Sequence, residues 1–444
     1  MGRQVYVETY GCQMNLADSE LVLGQLARHG FGEANSPAEA DVILLNTCAI
    51  RDHAEHRVVG RLTQLLRHKL ASPQVKIGII GCMAQHHRAR LLEQLPFLDL
   101  ILGPDEYRRL PQVLQEQGFE DPTVEVRLGR AETYADIAPA RRRGVRAWIS
   151  VMRGCDKFCS FCIVPYVRGR ERSLPLRAVL DQVRKAAEDG FREVVFLGQT
   201  VNAYRDGPAD FADLLREAAR IEGIKRIRFT SPHPSDMSDR VIEAIAAECK
   251  VCPQIHLPLQ SASNAVLERM ERGYTIEQYG RLLETLRRAK PGIEFSTDVI
   301  VGFPGETEAD FHATADYLRR AEYDQAFLFA YSAREGTRAA RWPQTVSAEE
   351  KQRRLETVIR IHEEACAKRS RAWLGREVEV LVEGAAKRGE GWLAGKSAEF
   401  KTTVFPSANG SVGELVRVRV RDATAHTLIG ESLESRRWEA SAGA

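Results

Sequence analysis

Cys155, Cys159 and Cys162 stand in the run Gly154-Cys155-Asp156-Lys157-Phe158-Cys159-Ser160-Phe161-Cys162, three thiols within eight residues at spacing C-x3-C-x2-C. A loop of this kind is constrained by what its thiolates can share, which is one soft metal centre. A cubane iron–sulfur cluster normally takes four cysteine ligands. Three ligands leave one iron free, as a catalytic metal keeps a position open for its substrate. The spacing therefore predicts a reactive centre. The competing reading is a zinc knuckle or three unrelated buried thiols. Zinc would need a fourth ligand nearby, and neither His nor Cys follows soon after Cys162.

At 444 residues the chain is long enough for two or three domains. A composition 44% hydrophobic and 28% charged describes a soluble globular protein with real cores. No apolar run approaches the roughly 18 residues that suggest a membrane span. The amino terminus enters a strand-like segment at once, without a signal-peptide pattern. Nine cysteines without secretory features point to a reducing cytoplasm, where Cys means metal or catalysis more often than disulfides. A net charge of +2 leaves any nucleic-acid surface to local clustering.

Residues 1–135 alternate apolar runs with helical patterns, which predicts an open, mainly parallel α/β sheet. Val5–Tyr10, Val42–Leu45 and Val75–Ile80 read as strands, Ser19–His29 and Ala54–His68 as helices. Each strand runs into a cysteine, at Cys12, Cys48 and Cys82. Ligands of open α/β sheets gather outside the carboxyl ends of the strands, so these cysteines are expected on one sheet edge. They form a candidate second cluster, against the alternative of small buried thiols at strand ends.

A basic connector, Arg141-Arg142-Arg143-Gly144-Val145-Arg146, leads into a middle segment, residues 146–340. It holds six strand-like runs: Trp148–Val151, Val194–Leu197, Ile227–Thr230, Gln254–Leu257, Phe295–Val301 and Ala326–Phe329. Helical patterns at Leu176–Glu188, Ile276–Ala289 and Glu308–Ala321 separate them. Six such units predict a partial (β/α)6 barrel with its chemistry at the carboxyl ends of the strands. Gly198, Gln199 and Asn202 follow the second strand, Ser231 and His233 the third, and Gln260 the fourth; Asp298 lies on the fifth. With Phe161 of the cysteine loop, these are the candidate cofactor contacts. Singly, each is turn chemistry or a satisfied buried polar group; together they suit an amino acid, a ribose and an adenine. Cys249-Lys250-Val251-Cys252 lies before a strand, away from that edge, and reads as structural, as does Cys366.

A charged connecting helix occupies 341–372, and residues 373–436 read as a small β-barrel. Within it Val416, Val418 and Val420 alternate with Arg417, Arg419 and Arg421. Period two sends the arginines to one outer face, where guanidinium groups suit phosphates or simply face solvent.

Tyr10-Gly11-Cys12-Gln13-Met14-Asn15, Asn46-Thr47-Cys48-Ala49-Ile50-Arg51, the Gly154–Cys159 loop, Ile163–Glu171 and Gly302-Phe303-Pro304-Gly305-Glu306-Thr307 together resemble the radical S-adenosylmethionine methylthiotransferases, over the whole chain. Ala262 stands where a glycine is common. The similarity is greatest to the branch acting on tRNA. It implies an α/β chain with a cluster domain, a radical core and a TRAM-like RNA-binding barrel. It also implies two [4Fe-4S] clusters, on Cys12, Cys48 and Cys82 and on Cys155, Cys159 and Cys162. Two molecules of S-adenosylmethionine would be used per turnover, one for the methyl group and one for a 5′-deoxyadenosyl radical. The implied reaction is methylthiolation at C2 of N6-isopentenyladenosine at tRNA position 37. Partners would be that tRNA, an electron-donor reductant and a sulfur donor of unassigned identity, with no membrane. Side-chain acids and bases stay unassigned. The alternative is the related branch acting on an aspartate of a ribosomal protein; Gln13-Met14-Asn15 favours tRNA. A non-catalytic RNA-binding protein would more naturally complete each cluster with a fourth cysteine.

Overall fold

The computed structural model describes residues 2–49, 52–116, 121–129, 131–142, 144–387, 389–406 and 411–433. Ile50 and Arg51 of the second cysteine motif, Arg143 of the connector and positions 434–436 of the barrel lie outside the described residues.

The amino-terminal strands are β1 (Gln4–Thr9), β2 (Gly32–Glu33), β3 (Val42–Thr47), β4 (Lys76–Gly81), β5 (Leu100–Leu102) and β6 (Thr123–Glu125). They form one sheet in the order β2-β1-β3-β4-β5-β6, every pair parallel. Val42–Thr47 is buried at every position, because both faces are covered. Val5, Val7, Leu44 and Ile80 pack on one side, Ile43, Leu45, Ile77 and Ile79 on the other. That is the period of two expected when the apolar run itself does not alternate.

Helix α1 (Gln13–Arg28) begins six residues before the predicted Ser19. The reason is that Asn15 and Asp18, polar residues ahead of the predicted start, are buried on its first turns together with Ser19. Helix α2 (Asp52–Ala71) lies on the Ile43 side, and α3 (Cys82–His87) follows β4 directly.

The six core strands, Arg146–Ser150, Glu193–Leu197, Arg226–Phe229, Gln254–His256, Glu294–Val301 and Gln325–Ala330, lie side by side in chain order. Two parallel triplets meet at an Ile227–Val251 bridge, giving the open half-barrel that the six units predict. Helices Leu176–Glu188, Ile276–Ala289 and Glu308–Ala321 have the predicted bounds. Two of them start at capping boxes, Thr275 with Gln278 and Thr307 with Asp310, which satisfy otherwise orphaned amides at both ends of the exchange.

Helix Ala348–Arg371 closes the last strand. His362 Nε2 accepts from the Ala326 N–H at 2.8 Å, and Arg354 Nη1 pairs with Glu306 at 2.7 Å. Glu377–Ala385, Trp392–Ser397, Thr402–Pro406, Leu415–Ala423 and Thr427–Ser432 then form a closed barrel. Its core contains Val416, Val418 and Val420, as the alternation requires. The barrel is tied to the third core strand: Arg226 Nη1 donates to Lys396 O at 2.7 Å and Arg228 Nη2 to Ser397 O at 2.8 Å. Among the described residues no helix is long and apolar enough to cross a membrane.

Candidate active site

β1, β3 and β4 are neighbours, so the residues that leave them meet on one edge. Cys12 caps α1, Cys48 follows β3, and Cys82 opens α3. Gly11 has φ +134°, and a Cβ there would lie 2.6 Å from Cys48 Cβ, which makes glycine the residue that lets the first two loops approach. Asn15 Nδ2 donates to Asn46 Oδ1 (3.0 Å) and Thr47 O (3.1 Å), while Asn46 Nδ2 donates back to Asn15 O (2.8 Å). This exchange fixes the loops that carry Cys12 and Cys48. The Cys12 thiol donates to Asn15 Oδ1 at 3.2 Å. Contact with Cys48 brings it down to about 6 despite burial, with Arg168 helping. Burial pushes the Cys82 thiol up.

Arg168, from the core helix Val164–Arg168, reaches across to this edge and donates Nε to Cys82 Sγ at 3.1 Å. Its Nη1 lies 2.8 Å from Asp18 Oδ2, and Arg153 Nη1 lies 2.9 Å from Asp18 Oδ1. All three side chains are at most 3% exposed. Two guanidinium groups and one carboxylate leave one surplus positive charge in the interior. A buried charge must be paired, and thiolates at Cys12 and Cys82 are the anions within reach. The donor set therefore suits an anionic, thiolate-held centre better than three neutral thiols.

The second triad follows the first core strand. Gly154 has φ +80°, and a Cβ there would sit 2.0 Å from Arg170 O. Its N–H donates to Gln199 Oε1 at 2.6 Å. Ser160 Oγ donates to Arg269 O at 2.7 Å, and Cys155 Sγ lies 3.1 Å from Thr200 Oγ1. Burial raises the Cys155 thiol and pushes Cys162 up to about 12, so ionisation here needs a countercharge. Buried Arg272 supplies one: Nη1 donates to Cys159 Sγ at 3.3 Å and Nε to Tyr274 Oη at 3.2 Å. Among the described residues no carboxylate pairs with it. Each triad thus has one guanidinium bonded to one sulfur, and each three-thiol set fits a cluster ligand sphere with an open iron.

The predicted cofactor contacts divide into braces and free groups. Gln199 holds the Gly154 amide, and Asn202 exchanges two bonds with the His233 backbone, at 2.9 and 2.8 Å. Gly198 is crowded by Met152, whose Cγ a Cβ would meet at 2.6 Å. Phe161 packs edge-on against Phe303 at 6.3 Å. Among the described residues Gln260 Oε1 and His233 Nε2 are buried without a partner, as polar atoms are when a ligand completes them. His233 bonds Ser235 through Nδ1 at 2.7 Å, and burial takes it down to about 2, so the ring stays neutral.

A cavity of about 540 Å³ opens between the sheet edge, the barrel mouth and Phe400 of the carboxyl-terminal barrel. Cys12, Cys48, Trp148, Ser231, Asp298 and Phe327 all line it. Asp298 accepts from or pairs with His256 Nε2 at 3.2 Å. Arg417 and Arg419 both pair with Glu377, and Arg421 with Glu431, so the predicted row of arginines meets acids on the neighbouring strands. Cys252 and Cys366 are buried and Cys249 is exposed.

The radical SAM superfamily profile matches residues 149–318, the uncharacterized protein family UPF0004 residues 4–103, and the TRAM domain residues 371–433. A tRNA-2-methylthio-N(6)-dimethylallyladenosine synthase from Chloroherpeton thalassium is 44% identical over 433 residues, 97% of this chain and 96% of the relative. A protein of the same name from Chlorobium luteolum is 42% identical over 432 residues, 97% of each. Among solved structures, the radical S-adenosylmethionine methyltransferase TsrM from Kitasatospora setae, with cobalamin and a [4Fe-4S] cluster bound, superposes with TM-score 0.58. It is 15% identical, covers 77% of this chain and 74% of its own, and so shares the fold.

Proposed function

We propose that this chain, which belongs to the tRNA-2-methylthio-N(6)-dimethylallyladenosine synthase family, is an iron–sulfur, S-adenosylmethionine-dependent methylthiotransferase. Its reaction is replacement of the C2 hydrogen of N6-isopentenyladenosine at tRNA position 37 by a methylthio group. The observation that carries this reading is the cavity of about 540 Å³, whose wall combines two cysteines of the amino-terminal triad with Ser231 and Asp298 of the radical core.

An aromatic C–H is neither acidic nor electrophilic enough for side-chain chemistry. When bound, two [4Fe-4S] clusters and two molecules of S-adenosylmethionine per turnover supply the radical and the methylated sulfur, as cofactors do for hard chemistry. The chain's own residues hold and insulate. Cys155, Cys159 and Cys162 would ligate one cluster, and Cys12, Cys48 and Cys82 the other. Arg272 and Arg168 offset thiolate charge on each. Gln199 sets the cluster loop, and Gln260 Oε1 and His233 Nε2 offer hydrogen-bonding atoms to the cofactor. Trp148 and Phe327 give the cavity aromatic walls for a purine, and Phe400 brings the carboxyl-terminal barrel to its mouth. Arg417, Arg419 and Arg421 would position phosphates, which fix register without reading sequence. The ribosomal-protein alternative is not favoured, since relatives named for tRNA align over nearly the whole chain.

The test is anaerobic incubation of reconstituted protein with reductant, S-adenosylmethionine and tRNA bearing isopentenyladenosine, read by nucleoside mass spectrometry. Cys48→Ala is expected to keep reductive cleavage of S-adenosylmethionine and lose sulfur insertion; Cys159→Ala loses both. Methylthiolated product from Cys48→Ala at the wild-type rate would refute the second cluster. Release of 5′-deoxyadenosine without methylthio product from the wild type would refute the substrate.

A further inference from the structure

We propose that Glu55, His86 and His87 form a third metal site, for a single divalent ion of the zinc class, at the seam between the amino-terminal domain and the core. One ligand atom from each residue lies within 4.8 Å of the others. Glu55 comes from α2, and the two histidines from the end of α3, where Arg88 turns the chain at φ +54°. Neighbouring positions on a helix face apart; at the last two positions of this helix the rings instead stand 4.6 Å apart, tilted by 52°.

The hydrogen bonding singles out the ligand atoms. His86 Nε2 lies 3.0 Å from the backbone oxygen of Glu335, an oxygen that can only accept. The ring proton is therefore on Nε2, and Nδ1 carries the lone pair. That Nδ1 is buried and has no hydrogen-bond partner among the described residues. This is the arrangement of a ligating histidine, whose second nitrogen donates to a carbonyl that fixes its tautomer. Glu55 places Oε2 3.1 Å from His87 Nε2 and leaves Oε1 buried without a partner among the described residues. A simple His87–Glu55 ion pair accounts for the first contact and for neither orphaned atom. A cation between Glu55, His86 and His87 accounts for all of them.

Two imidazoles and one carboxylate form the His₂Glu set of open zinc sites, with a fourth position for water. The rings border a cavity of about 430 Å³, shared with Tyr166, Arg90 and Glu335, which gives an ion a path and a water ligand room. Glu335 belongs to the core and pairs with Arg90 at 2.9 Å, so an ion here would stiffen the seam. It would also anchor the far end of α3, whose first residue is Cys82. This site is independent of the reaction proposed above.

Cluster-loaded protein, stripped with a chelator too weak to remove iron, is titrated with zinc and its metal content read by mass spectrometry. One zinc per chain beyond the iron is expected, and its loss in His86→Gln and Glu55→Gln with iron content unchanged. No zinc in the wild type, or equal zinc in both variants, overturns the site. Zinc-edge X-ray absorption on the wild type needs no variant: a nitrogen and oxygen shell is expected, and sulfur ligands overturn it.

Discussion

Asp18 lies between Arg153 and Arg168 at 2.9 and 2.8 Å, and its replacement by Asn should reverse in severity with the metal state. At pH 5 the Cys12 thiol, which titrates at about 6, carries its proton. The cluster-free interior then holds the two guanidinium groups and the carboxylate, a sum of +1. Asp18→Asn leaves +2 with no anion, Arg168→Met leaves a neutral Asp18–Arg153 pair, and the double variant leaves +1. At an effective dielectric constant near 20 each contact is worth about 6 kcal/mol gross, most of it repaid as desolvation. Removing one partner of a buried pair nets about 3–5 kcal/mol. Asp18→Asn strands two cations and should cost about 4–5 kcal/mol. Arg168→Met loses one charge-assisted contact but strands nothing, and should cost about 1–2 kcal/mol. Hydrogen exchange of the β1 and β3 amides in cluster-free protein reads this difference as about a hundredfold in rate. In cluster-loaded protein the order inverts, because Arg168 is the cation against Cys82 and its loss should empty the amino-terminal site of iron. Equal exchange in the two single variants, or retention of that iron by Arg168→Met, would refute the charge balance.

Glu377 pairs with both Arg417 and Arg419. Glu377→Gln frees two guanidinium groups and should tighten tRNA binding, with a steeper dependence on salt by about 0.7–0.9 per phosphate gained. An unchanged slope there and in Arg417→Ala/Arg419→Ala would remove the row from the interface. His362 is held down to about 4 by burial, whereas the unfolded chain titrates near 6.5. The unfolded state therefore takes the proton first as pH falls. Stability of the seam between helix Ala348–Arg371 and strand Gln325–Ala330 should be flat above about 6.5 and fall by about 3 kcal/mol by pH 4. Exchange at the Ala326 amide measures it, and His362→Gln, which keeps an acceptor, should abolish the dependence.

Local signals made much of this fold legible. Helices Ile276–Ala289 and Glu308–Ala321 kept their predicted bounds because their caps, Thr275 and Thr307, are visible in sequence. The strands ending at the cysteines were legible as apolar runs. The start of α1 was not, because Asn15 and Asp18 are polar residues serving the site from inside a helix. Arg168 and Arg272 were equally hidden. Arg168 stands in the Ile163–Glu171 run, yet its contact with Cys82 spans 86 positions, and Arg272 reaches Cys159 across 113. No periodicity encodes such pairings. Gln199 and Asn202 were legible as polar residues at strand ends, but not that their amides brace backbone. Glu271 stands beside Arg272 and Glu171 three residues after Arg168, so nothing in the local sequence separates either arginine from a surface ion pair.

The placement of these cations bears on how the amino-terminal triad can function at all. Its three cysteines come from one sheet, but the charge that balances them does not. Arg153 and Arg168 belong to the core, and only Asp18, an anion, belongs to the sheet domain. Cut away at the connector, that domain would keep three thiols and the Asp18 carboxylate without Arg153 or Arg168, a set whose ionisation burial opposes. Joined to the core, the same thiols face a surplus positive charge. Formation of a thiolate-held centre is thereby coupled to docking of the two domains, and docking is also what closes the cavity that Cys12 and Cys48 share with Ser231 and Asp298. A sulfur-bearing centre would then be charge-balanced only where a substrate base and the core's cofactor groups can reach it, which keeps a reactive ligand from forming on an undocked domain.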